Sequence, residues 1–188
     1  MFTNLFPIPI LRIKLSDKVA DEMEEKIVPL LDSLSRENDS VSTDFWEKKI
    51  PVHDLVPNFF QQAIEAALEF QEHTGIEIDP EMRIKYWTQD YLPNDSHQIH
   101  HHGIHGISGT YWVRANEDAG SFRLFSTNPH SDLVLHNKQT EYTIAYEDIW
   151  PEKGMMLLFP SYMKHCVMQS GKDAIRTSVS FNFGCSNV

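Results

Sequence analysis

Hydrophobic and polar positions change their spacing about eighty residues into the chain. Residues 8–15 alternate loosely and predict a first strand. Residues 17–35, DKVADEMEEKIVPLLDSLS, carry a helical stripe of Val19, Met23, Ile27, Leu30, Leu31 and Leu34. Ser16 is placed to cap that helix and Pro29 to kink or split it. Residues 36–52 are polar and read as a loop. A second helix is predicted from about Leu55 to Thr74, with Asp54 as its cap and Gly75 as its stop. Phe60, Ile64, Ala67 and Leu68 would face the core.

From Arg83 onward short segments rich in β-formers alternate with turn residues. The predicted strands are 83–91, 106–114, 120–126, 132–135, 140–146, 154–159, 164–169 and 174–183. Asn94-Asp95, Asn116 to Asp118, Asn137-Lys138, Lys153-Gly154 and Gly171-Lys172 punctuate them. Eight short strands at this spacing predict a mainly β fold with flanking α, a barrel or jelly roll with two helices on one face. No repeat or linker interrupts it. Residues 1–188 therefore read as a single domain, with 1–80 supplying a strand and two supporting helices and 81–188 the barrel core.

Size and charge narrow the functional classes. A chain of 188 residues is long enough for one full hydrophobic core. The net charge of −11 argues against nucleic acid as a partner, because a phosphate backbone needs a basic face. No apolar run approaches the ~18 residues of a membrane span, so no membrane partner is expected. The N-terminal MFTNLFPIPILRIKL lacks a basic start and a small-residue cleavage site, and reads as an edge strand rather than a signal peptide. The cysteines are Cys166 and Cys185, expected as reduced thiols of a cytoplasmic protein.

The concentrated chemistry is in SHQIHHHGIHG, where His97, His100, His101, His102 and His105 crowd together. Neutral imidazole is the commonest side-chain metal ligand. If 99–102 is extended backbone leading into the strand at 106–114, His100 and His102 share one face and His101 takes the other. His165, which opens a later strand after FPSYMK, is the best candidate for a third ligand. In AIRTSVSFNF, Arg176, Ser178, Ser180 and Asn182 share a polar face. An arginine pointing into a barrel needs an anion, and a hydroxyl two residues on can add a hydrogen bond to a carboxylate. His97 reads as loop, and His101 and His105 as neighbours of the site rather than ligands. Ser108 and Trp112 share a strand face and are candidates for lining the pocket, though core packing accounts equally well for Trp112. Tyr86, Trp87 and Tyr91 either line the pocket or fill the core, and core is the preferred reading. Cys166 points away from the site and is not a nucleophile.

With these residues in order, the sequence resembles the Fe(II)- and 2-oxoglutarate-dependent oxygenase superfamily, and most closely a group of small oxygenases of bacteria and their phages. The resemblance rests on His100-x-His102, Ser108-Gly109-Thr110-Tyr111-Trp112, Gly120-Ser121-Phe122, Gly154 followed by Leu157-Leu158-Phe159-Pro160-Ser161, then His165 and Arg176 through Asn182. Phe6-Pro7-Ile8-Pro9 also fits that group. It implies a double-stranded β-helix, iron held at His100, His102 and His165, and 2-oxoglutarate held by Arg176 and Ser178. The expected reaction hydroxylates a substrate that the sequence does not name, using dioxygen and releasing succinate and carbon dioxide. A phage origin would place it in host cytoplasm. The superfamily's usual iron site has two histidines and one carboxylate, and His102 stands at the carboxylate position. That departure leaves two alternatives: a three-histidine cupin-like metal enzyme that does not use 2-oxoglutarate, and a non-catalytic module with a degenerate site. Oligomeric state is open, with a homodimer among the options.

Overall fold

A computed structural model describes residues 7–32, 41–43, 50–78, 84–103, 106–128, 140 and 143–184. The elements run β1 (Leu11–Lys14), α1 (Asp17–Asp32), β2 (Val41–Thr43), α2 (Val52–Leu55), α3 (Pro57–Thr74), β3 (Ile84–Tyr91), β4 (His97–His100), β5 (Ile107–Ala115), β6 (Phe122–Phe125), β7 (Tyr146–Ile149), β8 (Met155–Pro160), β9 (His165–Val167) and β10 (Arg176–Phe183). Two antiparallel sheets face each other. Six strands in the order β1-β8-β5-β10-β3-β2 form one, and four in the order β4-β9-β6-β7 form the other. This is the expected double-stranded β-helix, with the helices on the outer face of the larger sheet.

Strand alternation sorts the apolar residues into two cores. Ile107, Tyr111 and Val113 of β5, Met156 and Leu158 of β8, and Val179, Phe181 and Phe183 of β10 face the helices. They meet Val19, Met23, Ile27 and Leu31 of α1 and Phe59, Ala63 and Ala67 of α3. The opposite faces of the strands build an inner core between the sheets from Trp112, Leu157 and Phe159 with Phe122, Leu124, Ile149 and Val167. On β10 that inner face is polar, so the central strand carries oil on one side and an arginine, two serines and an asparagine on the other.

Local expectations meet tertiary structure with some corrections. α1 continues through Pro29 without splitting. The second predicted helix is two: α2 ends at Leu55, Val56 caps α3 with no side-chain bond, and Pro57 occupies its first turn. Asp54 is therefore inside α2 and caps nothing in α3. Proline suits that position because the first-turn N–H would have no helical partner. Gly75 ends α3 in the left-handed conformation, as predicted. Leu68 is 44% exposed rather than core-facing. β2 falls in the segment expected as loop, and it extends the larger sheet beside β3. The strand expected at 140–146 begins only at Tyr146, because Thr140 and Thr143 form a turn with the Thr143 and Ile144 N–H groups donating to the Thr140 carbonyl. The expected strand at 132–135, Leu34, His105 and Cys185 lie outside the described residues.

Burial separates the positions that carry the fold from those that do not. Phe59 is fully buried against Phe60, Tyr111 and Phe181. Phe59→Ala should cost about 3–5 kcal/mol in urea denaturation, whereas Leu68→Ala should stay within about 0.5 kcal/mol of the parent protein.

Candidate metal centre

The histidine run is split between structural elements. β4 is a strand of the smaller sheet, and β5 belongs to the larger one. The chain passes from one sheet to the other between His100 and Ile107, and the described glycines there, Gly103 and Gly106, take φ of 104° and 89°. A side chain at Gly106 would strike the Phe183 carbonyl, so glycine is required for the crossing as well as for its φ. The extended backbone expected at 99–102 is thus only partly strand: β4 ends at His100, and 101–103 belong to no regular element. Its consequence survives: His100 and His102 converge on one point.

His100 pairs directly opposite His165 across β4 and β9. Their ring centroids are 4.2 Å apart. His102 lies parallel to His165, with the two Nε2 atoms 3.1 Å apart. One ring nitrogen from each of His100, His102 and His165 falls within 4.8 Å of the others. Hydrogen bonds fix two of the rings. A carbonyl can only accept, so His100 Nδ1 donates to the Gln98 carbonyl at 2.8 Å and His165 Nδ1 donates to the Met163 carbonyl at 2.9 Å. Both Nε2 atoms are therefore lone-pair donors, the state a metal requires. Trp87 stacks on His102, while Phe122 and Phe159 pack on His165.

Burial keeps these rings neutral. Burial is the largest cause and neighbouring groups such as His100 add to it; together they take the pKa of His102 to about 4, of His165 to about 3 and of His97 to about 4. His100 shifts down for the same leading reason. His97, expected as loop, belongs to β4, stacks on His100 and bonds the Tyr91 hydroxyl at 3.3 Å. His101 turns outward, and its Nδ1 accepts the Gly103 N–H.

The polar face of β10 lines the same cavity through Arg176, Ser178 and Ser180. Arg176 is 2% exposed. Its Nη1 donates to the carbonyls of Gly120 at 2.8 Å and Ala119 at 3.3 Å, and its Nε has no partner among the described residues. No carboxylate pairs with it among the described residues. Burial lowers its pKa to about 10, which still leaves it charged at neutral pH. A buried guanidinium with an unused donor beside a cavity is a site for an anion. The rings of Tyr91 and Trp112 flank it at 5.1 and 5.8 Å.

Trp87, Gln89 and Tyr91 of β3 also line the cavity, so for Trp87 and Tyr91 the pocket-lining alternative holds over the preferred reading as core. Tyr86 takes the other face, against Phe60 in the outer core. The alternation in KYWTQDY was the signal that could have assigned the two faces. Ser108 and Trp112 stand one layer behind the lining. Ser108 bonds Asn182 and Ser161, and Trp112 packs in the inner core with its Nε1 unpartnered. Cys166 points away from the cavity, towards Met168. A second surface groove, between Pro9–Leu11 and the end of α3, is larger but brings no converging donors together.

Residues 85–182, more than half of the chain, match the family model described as "Putative 2OG-Fe(II) oxygenase". No curated protein matches in sequence. Among solved structures, the chain resembles a prolyl-4-hydroxylase of Pseudomonas putida at TM-score 0.66 and 12% identity, covering 94% of this chain and 92% of that one. A prolyl hydroxylase of Trichoplax adhaerens, in complex with a hypoxia inducible factor peptide fragment, aligns at TM-score 0.65 and 14% identity over 93% and 83%. HygX of Streptomyces hygroscopicus, with nickel, 2-oxoglutarate and hygromycin B bound, aligns at TM-score 0.60 and 11% identity over 94% and 83%. At these identities the structural likeness establishes the fold.

The depressed imidazole pKa values fix the sign of an acid response. Unfolded histidines take up protons near pH 6.5, whereas the folded cluster resists to about pH 4 or below. Between those limits the unfolded chain binds more protons, so stability must fall as pH falls. Urea denaturation in chelator should show metal-free protein losing stability from about pH 6.5 towards 4, by up to about 1.4 kcal/mol per pH unit per proton. His165→Phe should flatten that slope.

Proposed function

Because the chain belongs to the 2OG-Fe(II) oxygenase family, an oxidoreductase family that works with Fe(II), 2-oxoglutarate and dioxygen, we propose that His100, His102 and His165 hold the iron while Arg176 and Ser178 seat the far carboxylate of 2-oxoglutarate. The reaction proposed is hydroxylation of a prime substrate with release of succinate and carbon dioxide. The observation that carries this reading is the buried Arg176, its Nε unpartnered among the described residues, sharing one cavity with three neutral imidazoles. Family membership sets it above the readings without 2-oxoglutarate or without catalysis.

The donor set fits the group it would hold. Three imidazoles suit a divalent transition metal, and the free Nε2 atoms of His100 and His165 already face each other's space. Fe(II) with 2-oxoglutarate supplies the oxygen-activating chemistry. The chain's own residues supply position and environment. Arg176 offers an Nε donor that none of the described residues uses, and Ser178 lies two residues along the same face. Phe122 and Phe159 shield His165 from water. Asn182 and Arg176 are themselves backed by Ser108 and Trp112.

The ligand set also predicts coupling between metal and co-substrate. Three neutral ligands leave the metal's double charge uncompensated within the protein. A dicarboxylate anchored at Arg176 offsets it, so each partner should tighten the other.

Calorimetry with Mn(II) as a stand-in should show tighter metal binding in the presence of 2-oxoglutarate. Arg176→Met should weaken 2-oxoglutarate by about 30-fold or more, the cost of breaking a buried charge-assisted contact. It should leave Mn(II) affinity without 2-oxoglutarate little changed. Absence of metal-dependent 2-oxoglutarate binding, with Arg176→Met indistinguishable from the parent protein, would overturn the assignment. Succinate formation coupled to oxygen uptake would test the reaction itself.

A further inference from the structure

His102 differs from its two companions. His100 and His165 each donate Nδ1–H to a carbonyl, which frees Nε2. His102 Nδ1 instead meets the Asn182 side-chain nitrogen at 3.2 Å, and its Nε2 meets His165 Nε2 at 3.1 Å. His165 Nε2 carries no proton, so the 3.1 Å contact requires His102 to donate Nε2–H. Its Nδ1 then accepts the Asn182 amide N–H. In this tautomer His102 has no lone pair to give a metal at Nε2.

Asn182 is held in turn by two buried hydroxyls. Its Oδ1 lies 2.7 Å from Ser108 Oγ, which lies 2.8 Å from Ser161 Oγ. All three residues are at most 6% exposed, so their polar atoms must be satisfied within the chain. The chain of bonds has two self-consistent polarities. In one, Ser108 donates to Asn182 Oδ1 and the Asn182 amide N–H to His102 Nδ1. In the other the amide has turned by 180°. His102 Nδ1–H then donates to Asn182 Oδ1, the amide N–H donates to Ser108, and Ser108 donates to Ser161. Only the second leaves His102 Nε2 free.

We propose that Asn182, backed by Ser108 and Ser161, is a positioning residue that sets the tautomer of His102 and, by a half-turn of its amide, converts that histidine into a metal ligand. This rests on the reading of His100, His102 and His165 as the metal site. The proton count of His102 is unchanged: it gives the Nε2 proton to solvent and takes one at Nδ1. An amide can serve either polarity because it has a donor and an acceptor on the same side chain. An aspartate can only accept when ionised, so it would keep a proton on His102 Nδ1 whether or not metal is present.

Nitrogen-15 NMR of histidine-labelled full chain reports each ring's tautomer directly, without and with Zn(II) as a diamagnetic probe. The parent protein should show His102 as Nε2–H without metal and as Nδ1–H with Zn(II). Asn182→Asp should show Nδ1–H in both states and keep its Mn(II) affinity in calorimetry. Asn182→Leu should bind Mn(II) about 10–100-fold more weakly. Equal losses in the Asp and Leu variants would indicate disturbed packing and overturn the proposal. So would a metal-free parent protein whose His102 is already Nδ1–H. If the parent protein bound no metal, the reading of the site would fail instead. The metal-free tautomers of parent and Asn182→Asp would still decide whether Asn182 controls His102.

Discussion

The two unlike faces of β10 organise this protein. As an inner strand of the larger sheet, flanked by β5 and β3, it has no edge and both faces are covered. Val179, Phe181 and Phe183 anchor the helices through the outer core. That frees Arg176, Ser178, Ser180 and Asn182 to stand between the sheets, where an apolar strand would have filled the space with side chains. A polar face in that position is costly unless something satisfies it. Gly120 and Ala119 carbonyls satisfy part of Arg176, Ser108 satisfies Asn182, and the Arg176 Nε is left over.

The smaller sheet supplies the complementary half. Pairing of β4 with β9 puts His100 against His165, because directly opposed residues of an antiparallel pair share a face. His102 arrives after the strand has ended, carried by the crossing to β5. It is therefore positioned by contacts rather than by pairing: Trp87 on its ring and Asn182 on its Nδ1. The departure from a carboxylate at this position thus comes with its own supporting residues, drawn from β3 and β10.

Charge connects the two halves. Crowded imidazoles, a buried guanidinium and low solvent access would repel one another if the histidines were protonated. Burial keeps them neutral instead, leaving Arg176 as the charged group of the cavity lining. An oxygenase of this family brings a dianion and a dication together, and under the proposed assignment the order of charges is complementary: the neutral donors would meet the metal and the cation the carboxylate. The described residues contain no helix long and apolar enough to cross a membrane.

Much of this was legible along the chain. Period-2 alternation in RTSVSFNF determined which residues share a face, and the ordered motifs from His100 to Asn182 pointed to the family. Local turn chemistry placed Gly75 at the end of α3. Other features depended on partners distant in sequence. His97 and His100 form a strand only because β9 is there to pair with them, and polar, histidine-rich HQIH has no strand signal of its own. Pro57 starts α3 because the chain bends there, although Asp54 carries the better cap chemistry. Trp87 and Tyr91 line a cavity because the second sheet stands opposite them. The sequence by itself determined the faces of strands, since alternation is a property of local backbone geometry. Only the tertiary structure decided which sheet each histidine joined and which atom of Asn182 meets His102, because both depend on contacts between segments tens of residues apart.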